Sequence, residues 1–150
     1  MNNDPKVPHL IKNYKIKARD FIRAGDASIQ LKSALKTIGF DPDIIQRASI
    51  CAYEAEMNVV MYGSNGSLSL SVEGEEIFIE VRDDGPGIEN IELAIKEGYS
   101  TATEEFREMG FGAGMGLPNI KEKSDSFEIN SQKDKGTYLK IGFLVNKDDE

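Results

Sequence analysis

Residues 77–88 read Ile77-Phe78-Ile79-Glu80-Val81-Arg82-Asp83-Asp84-Gly85-Pro86-Gly87-Ile88. The first part is apolar and rich in β-branched residues, which predicts a mostly buried strand. Asp83 follows this strand, and a carboxylate there needs a hydrogen-bond donor to offset its desolvation. One interpretation supplies the exocyclic amino group of adenine, with Gly85 and Gly87 letting the backbone pass close to the ring. The other is an ordinary turn, since Asp, Gly and Pro dominate turns without any ligand.

Upstream of this strand, the sequence predicts a long amphipathic helix that Asp41 caps, Pro42 opens and Gly63 ends. Its apolar stripe consists of Ile44, Ile45, Ala48, Cys51, Ala52, Ala55, Val59 and Tyr62. Glu54 and Asn58 flank the stripe and project from one face, because they are four residues apart. The amide oxygen could be a Mg²⁺ ligand and the carboxylate could accept a proton during phosphate chemistry. The alternative is a polar pair at the edge of an amphipathic helix.

A second glycine-rich segment reads Gly110-Phe111-Gly112-Ala113-Gly114-Met115-Gly116-Leu117-Pro118. It lacks the Lys-Ser or Lys-Thr of a Walker loop, and the spacing of its glycines differs from the dinucleotide fingerprint. A helix is predicted from about Met115 to Asp125, so the N–H groups near Gly114 to Leu117 lie at a helix N-terminus and form an anion site. The alternative is a flexible hinge loop. Residues 99–113 are polar and lack strong periodicity, which predicts a mobile loop of the kind that closes over a ligand.

The remaining segments predict two more helices before this loop, and further strands. Alternation of Tyr14, Ile16 and Ala18 with basic residues indicates a strand, and residues 27–38 indicate a helix that stops at Gly39. A short helix is predicted at 91–97. Strands are predicted around 68–72, 127–130 and 137–145. This order predicts an α+β, two-layer α/β sandwich, with helices on one face of a mixed, mostly antiparallel sheet.

Composition predicts one domain over residues 1–150, with 39% hydrophobic residues. A net charge of −8 disfavours a nucleic-acid surface, since phosphate backbones are bound chiefly by Lys and Arg. The sequence has no apolar run of membrane-spanning length, and the polar start Met1 to Pro8 is unlike a signal peptide. Cys51 is the single cysteine and is predicted to be a buried thiol. We therefore expect a cytoplasmic protein.

Together these motifs resemble the GHKL (Bergerat-fold) ATPases over residues 14–145. The matching pattern is Glu-x-x-x-Asn on a helix, Asp-x-Gly-x-Gly-Ile after a strand, Gly-x-Gly-Leu opening a helix, and Gly136-Thr137 near the end. The resemblance implies that Glu54 is the general base, Asn58 binds Mg²⁺ and Asp83 contacts the adenine of ATP or ADP. The other nucleotide contacts that it implies are Gly85, Gly87, Ile88, Gly112, Gly114, Met115, Gly116, Leu117 and Thr137.

Within that superfamily the chain is similar to the anti-sigma-factor serine/threonine kinases and the related switch kinases. The matching phrases are Glu97-Gly98-Tyr99-Ser100-Thr101 and Gly114-Met115-Gly116-Leu117-Pro118-Asn119-Ile120. This implies a kinase that phosphorylates a hydroxyl on a small anti-anti-sigma antagonist protein and so regulates a sigma factor or a signalling switch. A homodimer is compatible with the resemblance. The alternatives are an adenine-nucleotide-gated binding module without chemistry and a free-standing ATP hydrolase.

Overall fold

The computed structural model describes residues 10–62, 65–87 and 116–145. These residues form, in chain order, β1 (Leu10–Ile16), α1 (Asp26–Ile38), α2 (Pro42–Tyr62), β2 (Gly66–Glu73), β3 (Glu76–Asp83), α3 (Gly116–Lys123), β4 (Ser126–Gln132) and β5 (Gly136–Leu144). The strands form one sheet in the order β1-β2-β3-β5-β4. The predicted α+β class is confirmed. The expected mixed sheet is wrong for the described strands, because every neighbouring pair is antiparallel.

The core lies between one face of the sheet and the helices. In β2 and β3 alternate side chains are buried, as the two-residue period of a strand requires. The buried apolar strand residues are Ile16, Leu68, Leu70, Val72, Ile77, Ile79, Val81, Leu139, Ile141 and Phe143. Helices α1 and α2 cover them with Leu31, Leu35 and the apolar side of α2. The two-layer arrangement therefore places α2 against the buried face of the sheet.

Helix α2 follows the sequence prediction closely. Asp41 caps its start, since the Asp43 N–H donates to Asp41 Oδ1 at 2.9 Å. The predicted apolar stripe from Ile44 to Val59 is buried. Cys51 belongs to it, and burial raises the pKa of the Cys51 thiol to about 12. The prediction of a buried thiol is therefore confirmed.

The predicted C-terminal ends of one strand and one helix are wrong, because in each case a hydrogen bond to another part of the chain ends the element earlier. β1 stops at Ile16, so Ala18 is outside it: the Ala18 N–H donates to Asn65 Oδ1 at 3.2 Å and the chain turns. Helix α3 ends at Lys123, since the Asp125 N–H donates to the Gly142 carbonyl at 2.9 Å and joins the sheet. The predicted helix at 91–97 and the predicted mobile loop at 99–113 lie outside the described residues, as does Gly63.

A buried carboxylate joins α1 to α2. Glu56 is 3% exposed, in the middle of α2. Its Oε2 accepts hydrogen bonds from the N–H groups of Gly25 at 3.0 Å and Ala27 at 3.2 Å, and its Oε1 accepts from Ser28 N–H at 2.9 Å. These are donors that the first turn of a helix leaves unsatisfied, and the helix dipole favours a negative charge there. Glu56 therefore fixes the N-terminus of α1 against α2.

Replacing this carboxylate by its amide tests that role. In Glu56→Gln one oxygen becomes an NH₂ group that faces backbone N–H donors, so we expect the free energy of unfolding to fall by about 2–3 kcal/mol. Urea denaturation measures this loss. Glu122→Gln, at an exposed position of α3, is the matched control and should be nearly neutral. Equal stability of both variants would show that Glu56 does not hold the helix.

Candidate functional site

The first half of the site lies where β3 ends and β5 begins. Asp83 is the last residue of β3, and its partner across the antiparallel ladder is Thr137 in β5. On the other side of β3, Asp83 pairs with Gly66 of β2. The predicted adenine contacts Asp83 and Thr137 are therefore direct neighbours, although they are 54 positions apart in the sequence.

Asp83 is half-buried, and burial is the main reason why its pKa lies above the ordinary value for an aspartate. The Gly85 N–H donates to Asp83 Oδ1 at 2.9 Å, which opposes that rise, and the neighbouring Asp84 carboxylate adds to it. A partly desolvated carboxylate with one oxygen bonded to its own loop still has acceptor capacity for a ligand N–H donor. This suits the exocyclic amino group of a base.

The turn between β4 and β5 supports this end of the sheet. Gly136 has a φ of +94°, and a Cβ at that position would collide with the Asp83 carbonyl oxygen. Only glycine fits such an approach with this backbone conformation. The Asp134 N–H donates to the Pro86 carbonyl at 2.7 Å, and the Thr137 hydroxyl lies 2.8 Å from the Ser131 hydroxyl. The loop after Asp83 is thus held by backbone contacts.

The second half of the site lies between α2 and α3. A Cβ placed on Gly116, the first residue of α3, would lie 3.5 Å from Asn58 Oδ1 and 3.6 Å from Glu54 Oε1. Asn119, one turn further along α3, donates from Nδ2 to Glu54 Oε2 at 3.2 Å. The predicted base, the predicted metal ligand and the N-terminus of α3 therefore meet. A carboxylate, an amide and a helix N-terminus are groups that can handle a proton, a hard cation and an anion respectively.

Helix α3 is held in this position by contacts along α2. Leu117 and Ile120 are buried. The Cys51 thiol lies 3.8 Å from the Ile120 carbonyl oxygen, and Arg47 donates from Nη1 to the Lys123 carbonyl at 2.8 Å. Residues 47, 51, 54 and 58 of α2, which recur at helical spacing, thus contact α3 from its C-terminus to its N-terminus. The position of the α3 N-terminus is set by this whole interface.

Both halves of the site border α2. Val59, the residue after Asn58, and Asp83 both lie close to Gly66: a Cβ there would be 3.0 Å from Val59 Cγ1 and 3.2 Å from Asp83 Cβ. A cavity of about 1290 Å³ opens at this end of the sheet, lined by Asp83, Thr137 and residues of α1 and α2. Its lining includes Asp83 and Thr137, the predicted adenine contacts, and the pair Glu54 and Asn58 is outside it.

Most predicted site residues are described, and they fall into these two groups. Asp83, Gly85, Gly87 and Thr137 belong to the sheet end, where the buried Gly85 bonds Asp83 and Gly87 lies against the backbone of Gln132. Glu54, Asn58, Gly116 and Leu117 belong to the α2–α3 interface, where Leu117 is a core residue. The predicted contacts Ile88, Gly112, Gly114 and Met115 lie outside the described residues.

Two residues with clear roles in this geometry were not predicted. Asn119 bonds Glu54, and its position three residues after Gly116 is the spacing that returns a side chain to the same face of a helix. Glu56 is an acidic residue inside an apolar stripe, and that conflict in the pattern was the available signal.

The described residues also bear on a metal site and on membranes. Residues 10–62, 65–87 and 116–145 contain no group of three or more His, Cys, Asp and Glu side chains that could hold a metal ion. Mg²⁺ commonly has one or two protein ligands, with phosphates and water completing its shell, and Asn58 beside Glu54 fits that pattern. In the described part of the chain, no helix is long and apolar enough to span a membrane.

The chain is similar in sequence to a known protein family and to several of its members. Residues 36–147 match the family described as histidine kinase-, DNA gyrase B-, and HSP90-like ATPase. The anti-sigma F factor of Clostridium perfringens (strain ATCC 13124) is 30% identical over 144 residues, which cover 93% of this chain and 94% of that protein. The serine/threonine-protein kinase RsbT of Bacillus subtilis is 27% identical over 112 residues, covering 72% of this chain and 78% of RsbT.

Among solved structures, the SiaB-SiaC complex from Pseudomonas aeruginosa contains a chain of similar fold. The TM-score is 0.54 at 14% sequence identity, and the match covers 92% of this chain and 91% of that chain. At this identity the likeness shows the fold alone. It agrees with the two-layer α+β architecture described above.

Proposed function

Because this chain belongs to the histidine kinase-, DNA gyrase B- and HSP90-like ATPase family, we propose that it is a protein serine/threonine kinase of the anti-sigma-factor type. It transfers the γ-phosphoryl group of ATP to a hydroxyl on a small anti-anti-sigma antagonist protein, and thereby regulates a sigma factor or a signalling switch in the cytoplasm. The observation that carries the proposal is the meeting of Glu54, Asn58 and the N-terminus of α3.

The relatives support both parts of this proposal. One is named a serine/threonine-protein kinase, and another, which matches nearly the full length of this chain, is named an anti-sigma F factor. An anti-sigma activity and a kinase activity are compatible in one domain if the domain releases the antagonist protein once that protein is phosphorylated. The solved complex of a similarly folded protein is consistent with a protein partner.

The reaction requires one proton transfer and one phosphoryl transfer. The acceptor hydroxyl oxygen forms a bond to the γ-phosphorus while the bond from that phosphorus to the β,γ-bridging oxygen breaks, and ADP leaves. Glu54 accepts the hydroxyl proton, and backbone N–H groups at the start of α3 stabilise the phosphoryl oxygens. Asn58 would hold Mg²⁺, which neutralises phosphate charge when bound. Such transfers need mainly positioning and charge stabilisation.

The sheet end would hold the base of the nucleotide. In this proposal Asp83 accepts a hydrogen bond from the adenine amino group, and Thr137, its cross-strand neighbour, supports the same end. Gly136 lets the β4–β5 turn pack directly against the backbone of Asp83 at this end of the sheet. Specificity for adenine follows, since guanine presents a carbonyl oxygen at the same position and would face the carboxylate.

A phosphotransfer assay tests the proposal. Proteins that co-purify with the chain are incubated with it and γ-³²P-labelled ATP, and we expect label on a serine or threonine of one small partner. Chain alone and partner alone are the controls. Nucleotide-dependent binding of a partner without label transfer would instead support a gated binding module. Release of phosphate that no partner alters would support a free-standing hydrolase.

A further inference from the structure

The two oxygens of the Glu54 carboxylate have different surroundings. Oε2 accepts a hydrogen bond from Asn119 Nδ2 at 3.2 Å. Oε1 is the atom 3.6 Å from the Cβ position of Gly116, next to the amide of Asn58. One oxygen is therefore held by α3, and the other is directed towards the N-terminus of that helix, where the proposed reaction takes place.

We infer that Asn119 is a positioning residue that fixes Glu54 so that Oε1 is the proton acceptor. The inference rests on the proposed function, because it assigns a role within that reaction. An ionised carboxylate can only accept hydrogen bonds, so the asparagine must present its NH₂ group to it. This bond restricts rotation of the carboxylate about its terminal torsion, which is otherwise broad. Oε1 then receives the proton of the attacking hydroxyl while the phosphorus–oxygen bond to ADP breaks.

The bond is not needed to hold the helix itself. Helix α3 is attached to α2 by buried Leu117 and Ile120, and its C-terminus is bonded by Arg47. Asn119 is half-buried and adds one polar contact at the edge of this interface. Its removal should leave the free energy of unfolding little changed, whereas a carboxylate that can rotate presents its basic oxygen less often in the reactive geometry.

Steady-state kinetics with γ-³²P-labelled ATP test the role, because they give kcat and KM separately. Phosphate release is measured without an acceptor, and labelling of the co-purifying partner is measured in parallel. We expect Asn119→Ala to reduce kcat by about 10- to 100-fold, with KM for ATP and the thermal midpoint unchanged. Asn119→Asp, which is nearly isosteric, should reduce kcat at least as much, because a second carboxylate opposes Glu54. Glu122→Ala, on the exposed side of α3, should retain wild-type rates.

A double-mutant cycle separates positioning from a structural effect. In a Glu54→Gln background, Asn119→Ala should cause little further loss of kcat, because the base that it orients is gone. Independent, multiplicative losses in the double variant would overturn the inference, as would wild-type kcat in both Asn119 variants when Glu54→Gln is inactive. If Glu54→Gln itself turns over ATP at the wild-type rate, the proposed function fails first, and the positioning role fails with it.

Discussion

Replacing Glu54 by glutamine is expected to reduce the rate of phosphoryl transfer by about 10²- to 10⁴-fold, the usual contribution of a general base. The affinity for ATP should be unchanged. Glutamine has the same shape, and its amide oxygen can still accept the hydrogen bond from Asn119. The NH₂ group then occupies the position of Oε1, where it cannot accept a proton. Rapid-quench measurement of labelled product, with nucleotide binding measured by fluorescence titration, separates the two effects.

Two comparisons make this result interpretable. Glu122→Gln changes the same chemical group at an exposed site on α3 and should leave the rate unaltered. Glu56→Gln removes a buried carboxylate two residues away, on another side of α2, so it should affect stability before rate. A Glu54→Gln protein that transfers phosphate at the wild-type rate would show that the proton goes elsewhere.

The sequence predicted α2 and its polar pair well because both depend on local periodicity. The spacing of Glu54 and Asn58 places them on one helix face whatever the rest of the chain does. The hydrogen-bond partner of Glu54 could not be predicted in this way. Asn119 comes from a helix 65 positions later in the chain, and no local pattern states which residues of two helices will touch. That contact depends on the register of α2 against α3, which core packing of Leu117 and Ile120 determines.

At the sheet end, too, local features could be predicted from the sequence and the contact between distant strands could not. Alternating apolar residues predicted the strand before Asp83, and the glycines after it predicted a close backbone approach. The antiparallel ladder then pairs Asp83 with Thr137, a register that follows from the hairpin between β4 and β5 and from the pairing of β5 with β3. The wrong end predicted for β1 has a related cause, since the side chain of Asn65 replaces the ladder partner that alternation alone would assign.

Asp83→Asn is expected to weaken ATP binding by about 10- to 150-fold, since a hydrogen bond to a charged group contributes about 1.5–3 kcal/mol. The free energy of unfolding of the nucleotide-free protein should be unchanged or higher in this variant. Burial raises the pKa of Asp83, so its ionised form costs stability. This cost is complete above the raised pKa, and it disappears as the pH falls from the raised pKa to the unfolded-state pKa. Asparagine carries no charge to desolvate and keeps an oxygen that accepts from the Gly85 N–H.

The pH dependence of binding gives a second, independent measurement of the same carboxylate. As the pH is lowered from neutrality through the raised pKa of Asp83, wild-type affinity for adenosine should fall, because the protonated acid is a weaker acceptor for the adenine amino group. Adenosine is used because its lack of phosphates removes their titration from the result. Asp83→Asn should bind weakly and without this dependence. Asp84→Asn, at the exposed neighbouring position, should bind like the wild type at neutral pH and show the same fall at a lower pH, because it removes a carboxylate that raises the pKa of Asp83. Equal affinities of wild type and Asp83→Asn at neutral pH would mean that the base lies away from the end of β3.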